Sequence, residues 1–353
     1  MRRKHLRALG WWSLGWMGLV LGTVPAAGQD RPAVLETPGS SLASPGEKAQ
    51  EDRASEEPAQ AAPTPGPMDL FIAYSRTQLG LQGFHRQETE IRGEAFVWWE
   101  KGEGPPLVLI HGVGDQAGTW FQVASRLAGS YRVLLVDLPG HGESGPAGGP
   151  LAMTAVLEGF ETWLAGPGRR KGEAPPILVG NSMGAWIALL IGRRHPEGVS
   201  RVVAVNGGGL VADTGGLSLL PRDREEARRL MAALRDPASP ATPDAVLDDL
   251  VRRVPGGQVS RMLEAQGDLE SHLLDGHLQE VSGPVDLLWG RSDRYLGEEY
   301  PRRLLNGLPR ARLTYLERCG HLPQAECAQA FANELETILA SEAPAPQKKG
   351  EVP

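Results

Sequence analysis

PPILVGNSMGAWIALLIG, residues 175–192, places one serine at the junction of two apolar stretches. Ile177 to Val179 predicts a buried strand, and Met183 to His195 predicts a helix that ends before a proline. A glycine stands two residues before Ser182 and another two residues after it, which relieves crowding in a tight turn. The alternative is that the serine only caps the helix. The strand–serine–helix pattern favours a nucleophile raised above the end of a sheet.

Short apolar strands alternate with helices along the chain. Strands are predicted at Leu107–Ile110, Arg132–Val136 and Ile177–Val179 and within SRVVAV, GPVDLLWG and ARLTYL, and helices at about Thr119–Leu127, Met153–Leu164, Met183–His195 and Gln324–Leu339. The alternation predicts an α/β fold with a mostly parallel sheet covered on both faces. Residues 209–282 are charged and lack a strand pattern. We interpret them as a helical lid insertion, with a run of ordinary surface helices as the alternative.

The predicted carboxyl ends of the strands carry residues suited to acyl chemistry, where functional groups gather in such sheets. A serine hydroxyl needs a base to take its proton, and His321 follows the last strand. Asp293 follows the preceding strand and would orient the imidazole. Asn206 occupies a competing position, but an amide cannot carry the charge that stabilises an imidazolium. Glu298 or Glu299 could replace Asp293 as the acid.

Acyl chemistry also needs N–H donors for the negatively charged oxygen of the intermediate. The backbone N–H of Met183 is one candidate, because it follows the serine. We assign the second donor to Val113, with Gly114 possible if the loop is shifted by one residue. His111 and the loop DLPGHGES, residues 137–144, are interpreted as structural parts of the neighbouring loops.

The stretches LIHGVGD, VLLVDLPGHGESG, LVGNSMGAW, LLWGRSDRY and CGHLPQAE resemble the α/β-hydrolase superfamily. They appear in the family's order across about residues 106–340. The resemblance implies a doubly wound, mostly parallel sheet with a helical lid, and a Ser182–Asp293–His321 triad. Within the superfamily, GNSMG is similar to the carbon–carbon bond hydrolases of aromatic ring cleavage and to related esterases. Asp115 and Leu322 stand where the ring-cleavage group usually has proline and often an aromatic residue.

These observations predict an exported serine hydrolase that cleaves a carboxylic ester or similar acyl bond in a small molecule. One alternative is a carbon–carbon bond hydrolase acting on a vinylogous diketone. Another is a catalytically silent binding protein, although every member of the triad is present. No cofactor and no metal is expected. The mixed charges, with a net charge of −7, do not favour nucleic acid binding. The sequence leaves the oligomeric state open.

The ends of the chain differ in composition from its middle. We predict a signal peptide or N-terminal anchor at 1–28, a disordered linker at 29–67, the hydrolase domain at 68–340 and a disordered tail at 341–353. A cleaved signal places the protein in the periplasm or outside the cell, and an uncleaved one would attach it to a membrane. Cys319 and Cys327 either pair in a disulfide or remain separate thiols.

Overall fold

The computed structural model describes residues 64–265 and 267–346. The predicted signal or anchor lies outside the described residues, as do nearly all of the predicted linker and the last residues of the predicted tail. A compact unit begins at Pro65. None of the described helices is long and apolar enough to span a membrane.

An eight-stranded sheet lies at the centre of this unit, in the order β1-β2-β4-β3-β5-β6-β7-β8. The strands are β1 (His85–Ile91), β2 (Glu94–Lys101), β3 (Pro106–Ile110), β4 (Arg132–Val136), β5 (Ile177–Asn181), β6 (Arg201–Val205), β7 (Val285–Gly290) and β8 (Ala311–Leu316). β2 pairs antiparallel with β1 and β4, and the remaining pairs are parallel. β3, β4, β6 and β7 are buried throughout, which explains why their sequences are mostly apolar.

Helices cover both faces of the sheet, as predicted. They are α1 (Pro67–Leu81), α2 (Phe121–Leu127), α3 (Met153–Ala165), α4 (Met183–Arg194), α5 (Arg224–Leu234), α6 (Asp244–Arg253), α7 (Gln258–Glu264), α8 (Asp268–Ser271), α9 (Glu299–Gly307), α10 (Pro323–Glu326) and α11 (Ala328–Ala340). One apolar core contains residues of α3, α4 and α9, and the other contains residues of α1, α2 and α11. The sheet is therefore doubly wound.

The segment between β6 and β7 contains α5 to α8 and a short 3₁₀ helix, Leu278–Glu280. Its described residues include no strand, in agreement with the helical insertion predicted from composition. α5 turns Ala227, Leu230 and Ala233 inward and leaves its charged side exposed. Asp249 on α6 accepts a hydrogen bond from the Met68 N–H at the start of α1 (2.9 Å). The lid insertion is therefore attached to α1 as well as to the sheet.

The C-terminal end of the fold differs in detail from the prediction. The single helix predicted from Gln324 to Leu339 is instead α10 and α11, separated at Cys327, whose φ of −130° is not helical. Cys327 is joined to Cys319 in a disulfide, which resolves the alternative left open by the sequence. Beyond α11, the Ser341 carbonyl accepts a hydrogen bond from Arg201 (3.1 Å), and the Pro344 carbonyl accepts one from Arg310 (3.1 Å). The first part of the predicted tail is thus bound to the fold.

Candidate active site

Ser182 occupies the sharp turn between β5 and α4 with φ 55° and ψ −116°. Such a backbone is strained for a residue with a side chain and persists only where the surroundings enforce it. A Cβ on Gly180 would lie 2.1 Å from the Gly184 carbonyl oxygen, and one on Gly184 would lie 2.2 Å from the Ile110 carbonyl oxygen. The two glycines are therefore required by the close approach of β5, α4 and β3.

A chain of hydrogen bonds joins the three predicted triad residues. The Ser182 Oγ lies 3.0 Å from His321 Nε2, and His321 Nδ1 lies 2.7 Å from Asp293 Oδ2. The carboxylate accepts a hydrogen bond from the Nδ1–H group, so Nε2 carries no proton and can accept the one from the serine hydroxyl. His321 and Asp293 are 5% and 4% exposed, so the pair is largely shielded from water. This is the geometry that general-base activation of a serine requires.

The environment of Asp293 keeps its carboxylate charged. Burial alone would raise its pKa, but the neighbouring His321, the Asn206 amide and a backbone N–H together hold the pKa of Asp293 below its ordinary value. Its Oδ1 accepts hydrogen bonds from the Tyr295 N–H (3.0 Å) and the Leu296 N–H (3.2 Å). The acid is therefore ready to stabilise an imidazolium at neutral pH.

Asn206, which as an amide cannot itself serve as the acid, supports Asp293 through hydrogen bonds. Its Nδ2 donates to Asp293 Oδ2 (2.8 Å), and its Oδ1 accepts from the Gly290 N–H (3.0 Å). Asn206 itself has a positive φ of 45°, so its backbone is unusual as well. The sequence predicted that Asn206 lies at the carboxyl end of β6, but it did not show that the amide faces Asp293.

One predicted oxyanion donor follows the serine in the chain, and the other belongs to the loop after β3. Met183 is the first residue of α4, so its N–H has no acceptor within the helix. A Cβ on Gly112 would lie 3.2 Å from the Ser182 Cβ, which places the loop after β3 beside the nucleophile. Val113 follows Gly112 directly, whereas Gly114 is exposed with φ 73°. This arrangement favours Val113 over Gly114 as the second donor.

The buried polar residues His111 and Asp137, beside this loop, form hydrogen bonds with backbone groups. His111 donates from Nδ1 to the Gly112 carbonyl (2.7 Å) and accepts at Nε2 from the Leu138 N–H (3.1 Å). Burial lowers the pKa of His111 to about 4, so the ring stays neutral. Asp137 Oδ1 accepts from the Ala117 N–H (2.7 Å). These hydrogen bonds agree with the structural interpretation of His111 and of residues 137–144.

Asn181, whose role the sequence left unexplained, joins β5 to the loop that carries the base. Its Nδ2 donates to the carbonyls of His321 (2.9 Å) and Val205 (3.2 Å), while its Oδ1 accepts from Gln324 (3.2 Å). The residue is fully buried, so these hydrogen bonds satisfy polar groups that water cannot reach. Asn181 thereby fixes the base next to the nucleophile.

The sheet order, the strained serine and the hydrogen-bonded Ser–His–Asp chain together define an α/β-hydrolase site. The profile of the alpha/beta hydrolase family matches residues 107–334. This chain therefore belongs to the alpha/beta hydrolase family, and it is a hydrolase. Among the described residues, no group of His, Cys, Asp and Glu side chains is arranged to hold a metal ion.

Several known proteins are similar to this chain. A 2-hydroxy-6-oxononadienedioate/2-hydroxy-6-oxononatrienedioate hydrolase of Cupriavidus pinatubonensis is 31% identical over 258 residues, which cover 64% of this chain and 83% of the relative. A crystal structure of a bacterial membrane phospholipase A is 25% identical, with a TM-score of 0.63 and coverage of 77% and 92%. A 2-hydroxy-6-oxo-6-phenylhexa-2,4-dienoate hydrolase from a Rhodococcus species is 23% identical, with a TM-score of 0.61 and coverage of 73% and 99%, and it supports the fold alone.

Proposed function

We propose that this hydrolase acts through a covalent acyl-enzyme formed on Ser182. The observation that carries the proposal is the unbroken hydrogen-bond chain from the Ser182 Oγ through His321 to Asp293. His321 takes the serine proton as the Oγ attacks a substrate carbonyl carbon. The N–H groups of Val113 and Met183 stabilise the oxygen that becomes negatively charged.

The intermediate then loses its leaving group. The bond between the former carbonyl carbon and the leaving atom breaks, and His321 Nε2 delivers its proton to that atom. A water molecule next attacks the acyl carbon and gives a proton to His321, and the serine oxygen leaves and recovers it. Asp293 remains ionised and stabilises the imidazolium in both halves of the cycle. The products are a carboxylic acid and the protonated leaving group.

The name of the Cupriavidus relative favours a carbon–carbon bond as the one that breaks. That relative is a hydrolase of an oxo-dienedioate. This support reverses the order predicted from the sequence, which placed an ester first. In a vinylogous diketone, the electrons of the broken bond pass to a carbon that a conjugated carbonyl stabilises. We therefore place carbon–carbon bond hydrolysis first.

A carboxylic ester is the second candidate, and the lid insertion supports it. Its arginines contact carboxylates or backbone carbonyls of the protein: Arg222, Arg224, Arg228, Arg229, Arg235, Arg252, Arg253 and Arg261. A substrate carboxylate would have to compete with these partners. An uncharged ester would not need a cation from this segment.

A substrate panel separates the two candidates. Wild type and Ser182→Ala are assayed with a ring-cleavage vinylogous diketone and with uncharged chromogenic esters of different acyl lengths. The proposal predicts diketone turnover that is lost in Ser182→Ala. Turnover of esters alone, lost in the same variant, would favour the second candidate. Turnover that persists in Ser182→Ala would contradict a serine mechanism.

We also propose that the protein is exported. The N-terminal sequence has the charged, apolar and small-residue parts of a signal. The Cys319–Cys327 disulfide supports the proposal, because disulfides persist mainly in oxidising compartments. N-terminal sequencing of the protein from fractionated cells tests it. A mature start near Ala26 to Gly28 in the exported fraction is expected, and a start at Met1 in the cytosol would contradict export.

A further inference from the structure

The C-terminal end of α5, in the lid insertion, lies against the two loops that carry the acid and the base. We call residues 291–298 the acid loop and residues 317–322 the base loop. The Arg294 N–H of the acid loop donates to the Ala233 carbonyl (3.0 Å), and the His321 N–H of the base loop donates to the Leu234 carbonyl (2.8 Å). The lid insertion therefore holds the backbone of both loops directly.

Glu326 fastens the same part of the lid insertion to the base loop. Its Oε2 accepts from the Gly320 N–H (2.6 Å), and its Oε1 accepts from the Asp236 N–H (2.9 Å) and the Ser239 hydroxyl (2.5 Å). The Arg235 Nε lies 3.7 Å from the Glu326 carboxylate, and the Glu326 side chain is 7% exposed. Hydrogen bonds to a charged, buried acceptor are strong, and leaving their donors unpaired is costly.

Asp236 makes the corresponding connection to the acid loop. Its Oδ2 accepts from the Ser292 hydroxyl (2.5 Å), and its Oδ1 accepts from the Ala238 N–H (2.8 Å). The Ser292 hydrogen bond, opposed by burial and helped by the Ala238 N–H, holds the pKa of Asp236 below its ordinary value. The Ser292 N–H donates in turn to the Cys319 carbonyl (2.9 Å), so the acid loop is also tied to the base loop.

These contacts surround the two side chains that activate the serine. Ser292 and Arg294, the neighbours of Asp293 on each side, are both held by the end of α5 and the residues after it. The base loop is held at His321 itself and at the preceding glycine. A Cβ on Gly320 would lie 2.2 Å from the Leu234 carbonyl oxygen, so this approach is close. A shift of α5 would displace the acid and the base together.

We propose that Asp236 and Glu326 are positioning residues that keep Asp293 and His321 aligned with Ser182. The inference rests on the proposed serine chemistry. Through these two carboxylates the lid insertion completes the catalytic geometry. A displacement of about 1 Å at a catalytic group can cost on the order of 100-fold in rate.

Glu326→Gln tests this role without a known substrate. The glutamine amide keeps the shape of the glutamate side chain but has only one acceptor oxygen. Its NH₂ group, itself a donor, would face donors that now form hydrogen bonds with the second carboxylate oxygen. We measure inactivation by a fluorophosphonate probe and separate its maximal rate constant from its apparent binding constant. The rate constant is expected to fall on the order of 10–100-fold. The binding constant should change by less than about two-fold, because the variant disturbs alignment and not probe binding.

Asp236→Ala and Asp236→Asn form a second test that does not depend on the folding of the first variant. Alanine removes the contact with Ser292, whereas asparagine can restore it because the hydroxyl both donates and accepts. The alanine variant should lose maximal inactivation rate, and the asparagine variant should recover most of it. Asp249→Asn is the matched control, since Asp249 is also a buried carboxylate of the lid insertion but contacts Met68, Arg252 and Arg253.

The outcomes separate this inference from the proposed function. Rate constants within about two-fold of wild type in both Glu326→Gln and Asp236→Ala would overturn it. An equal loss in Asp249→Asn would also overturn it, because general destabilisation would then explain the effect. A wild-type protein that takes no probe on Ser182 would contradict the proposed function itself, and this inference with it.

Discussion

His321 is held by a hydrogen bond at each ring nitrogen, to Asp293 on one side and Ser182 on the other. Asp293 accepts hydrogen bonds from the His321 ring, the Asn206 amide and two backbone N–H groups, so four donors fix its orientation. A carboxylate held in this way selects the ring tautomer that leaves Nε2 free to accept a proton. Both the charge and the position of Asp293 are therefore needed for His321 to act as the base.

Asp293→Asn is expected to lower kcat on the order of 10³–10⁴-fold, because an amide neither stabilises the imidazolium nor selects the correct tautomer. The free energy of unfolding, measured in urea, should change far less than the activation free energy. Glu298→Gln and Glu299→Gln are the controls, since these are the other acids that the sequence offered. Near-normal turnover in Asp293→Asn, with a loss in either control, would reassign the acid.

Among the elements, the turn between β5 and α4 depends on two glycines. The space beside Gly180 is filled by the backbone of Gly184 and Ala185, with the Gly184 carbonyl oxygen 2.1 Å from an added Cβ. Backbone cannot move aside as the end of a flexible side chain can. The turn therefore tolerates no side chain at this position without a shift of the strand or the helix.

Gly180→Ala should destabilise the protein by roughly 1–3 kcal/mol or more, as overpacking does in a filled interior, and should also lower activity. Gly80→Ala in α1 is the matched control, because an added Cβ there meets nothing within 4 Å. It should be neutral or stabilising by up to about 1 kcal/mol, since alanine is the better helix former. Thermal unfolding compares the two, and equal stability of both variants would refute the close-packing argument.

The sequence predicted the elements whose apolar pattern is continuous. β3, β4 and β6 are buried throughout, and their sequences show it. β1 was missed because most of its side chains are exposed and its sequence, HRQETEI, is almost entirely polar. The hairpin turn after β1 is formed by Arg92 and Gly93, which both have positive φ. In the sequence only the glycine indicates such a turn, because arginine rarely adopts positive φ.

The predicted site depended on the order of strand ends, and its three side chains meet as that order implied. What the sequence could not supply were contacts between segments distant along the chain. Asn206 faces Asp293 across 87 positions, and the Asn181 amide reaches the His321 carbonyl across 140. Such contacts follow from tertiary packing and carry no local pattern. The pairing of Cys319 with Cys327 depended instead on a bend of the chain between α10 and α11, which the helical pattern did not show.

At the scale of the whole molecule, buried histidines make stability depend on pH. Burial lowers the pKa of His141 to about 3, with smaller contributions from His111, 5.3 Å away between ring centroids, and from Arg261. The unfolded chain binds a proton at this histidine below about pH 6.5, whereas the folded protein does not until about pH 3. The unfolded state therefore binds more protons in this window, and His141 makes the protein less stable as the pH falls.

His141→Gln removes this contribution. Between pH 4 and pH 6, the rise of the unfolding free energy with pH should become less steep by up to about 1.4 kcal/mol per pH unit relative to wild type. The comparison with wild type cancels the contributions of other buried groups to the pH dependence. One of these is Asp115, since burial raises its pKa to about 6. Urea unfolding at several pH values measures the slope, with exposed His85→Gln as the control. Identical slopes in all three proteins would show that His141 does not stay neutral in the fold.

The site at which a fluorophosphonate probe attaches shows directly whether Ser182 is the nucleophile. Wild type, Ser182→Ala and the exposed-serine control Ser218→Ala are incubated with the probe, digested and mapped by mass spectrometry. The proposed mechanism predicts one label per chain, on the peptide containing Ser182, in wild type and Ser218→Ala. It predicts no label in Ser182→Ala. Equal labelling of Ser182→Ala and wild type would contradict the assignment of Ser182 as the nucleophile.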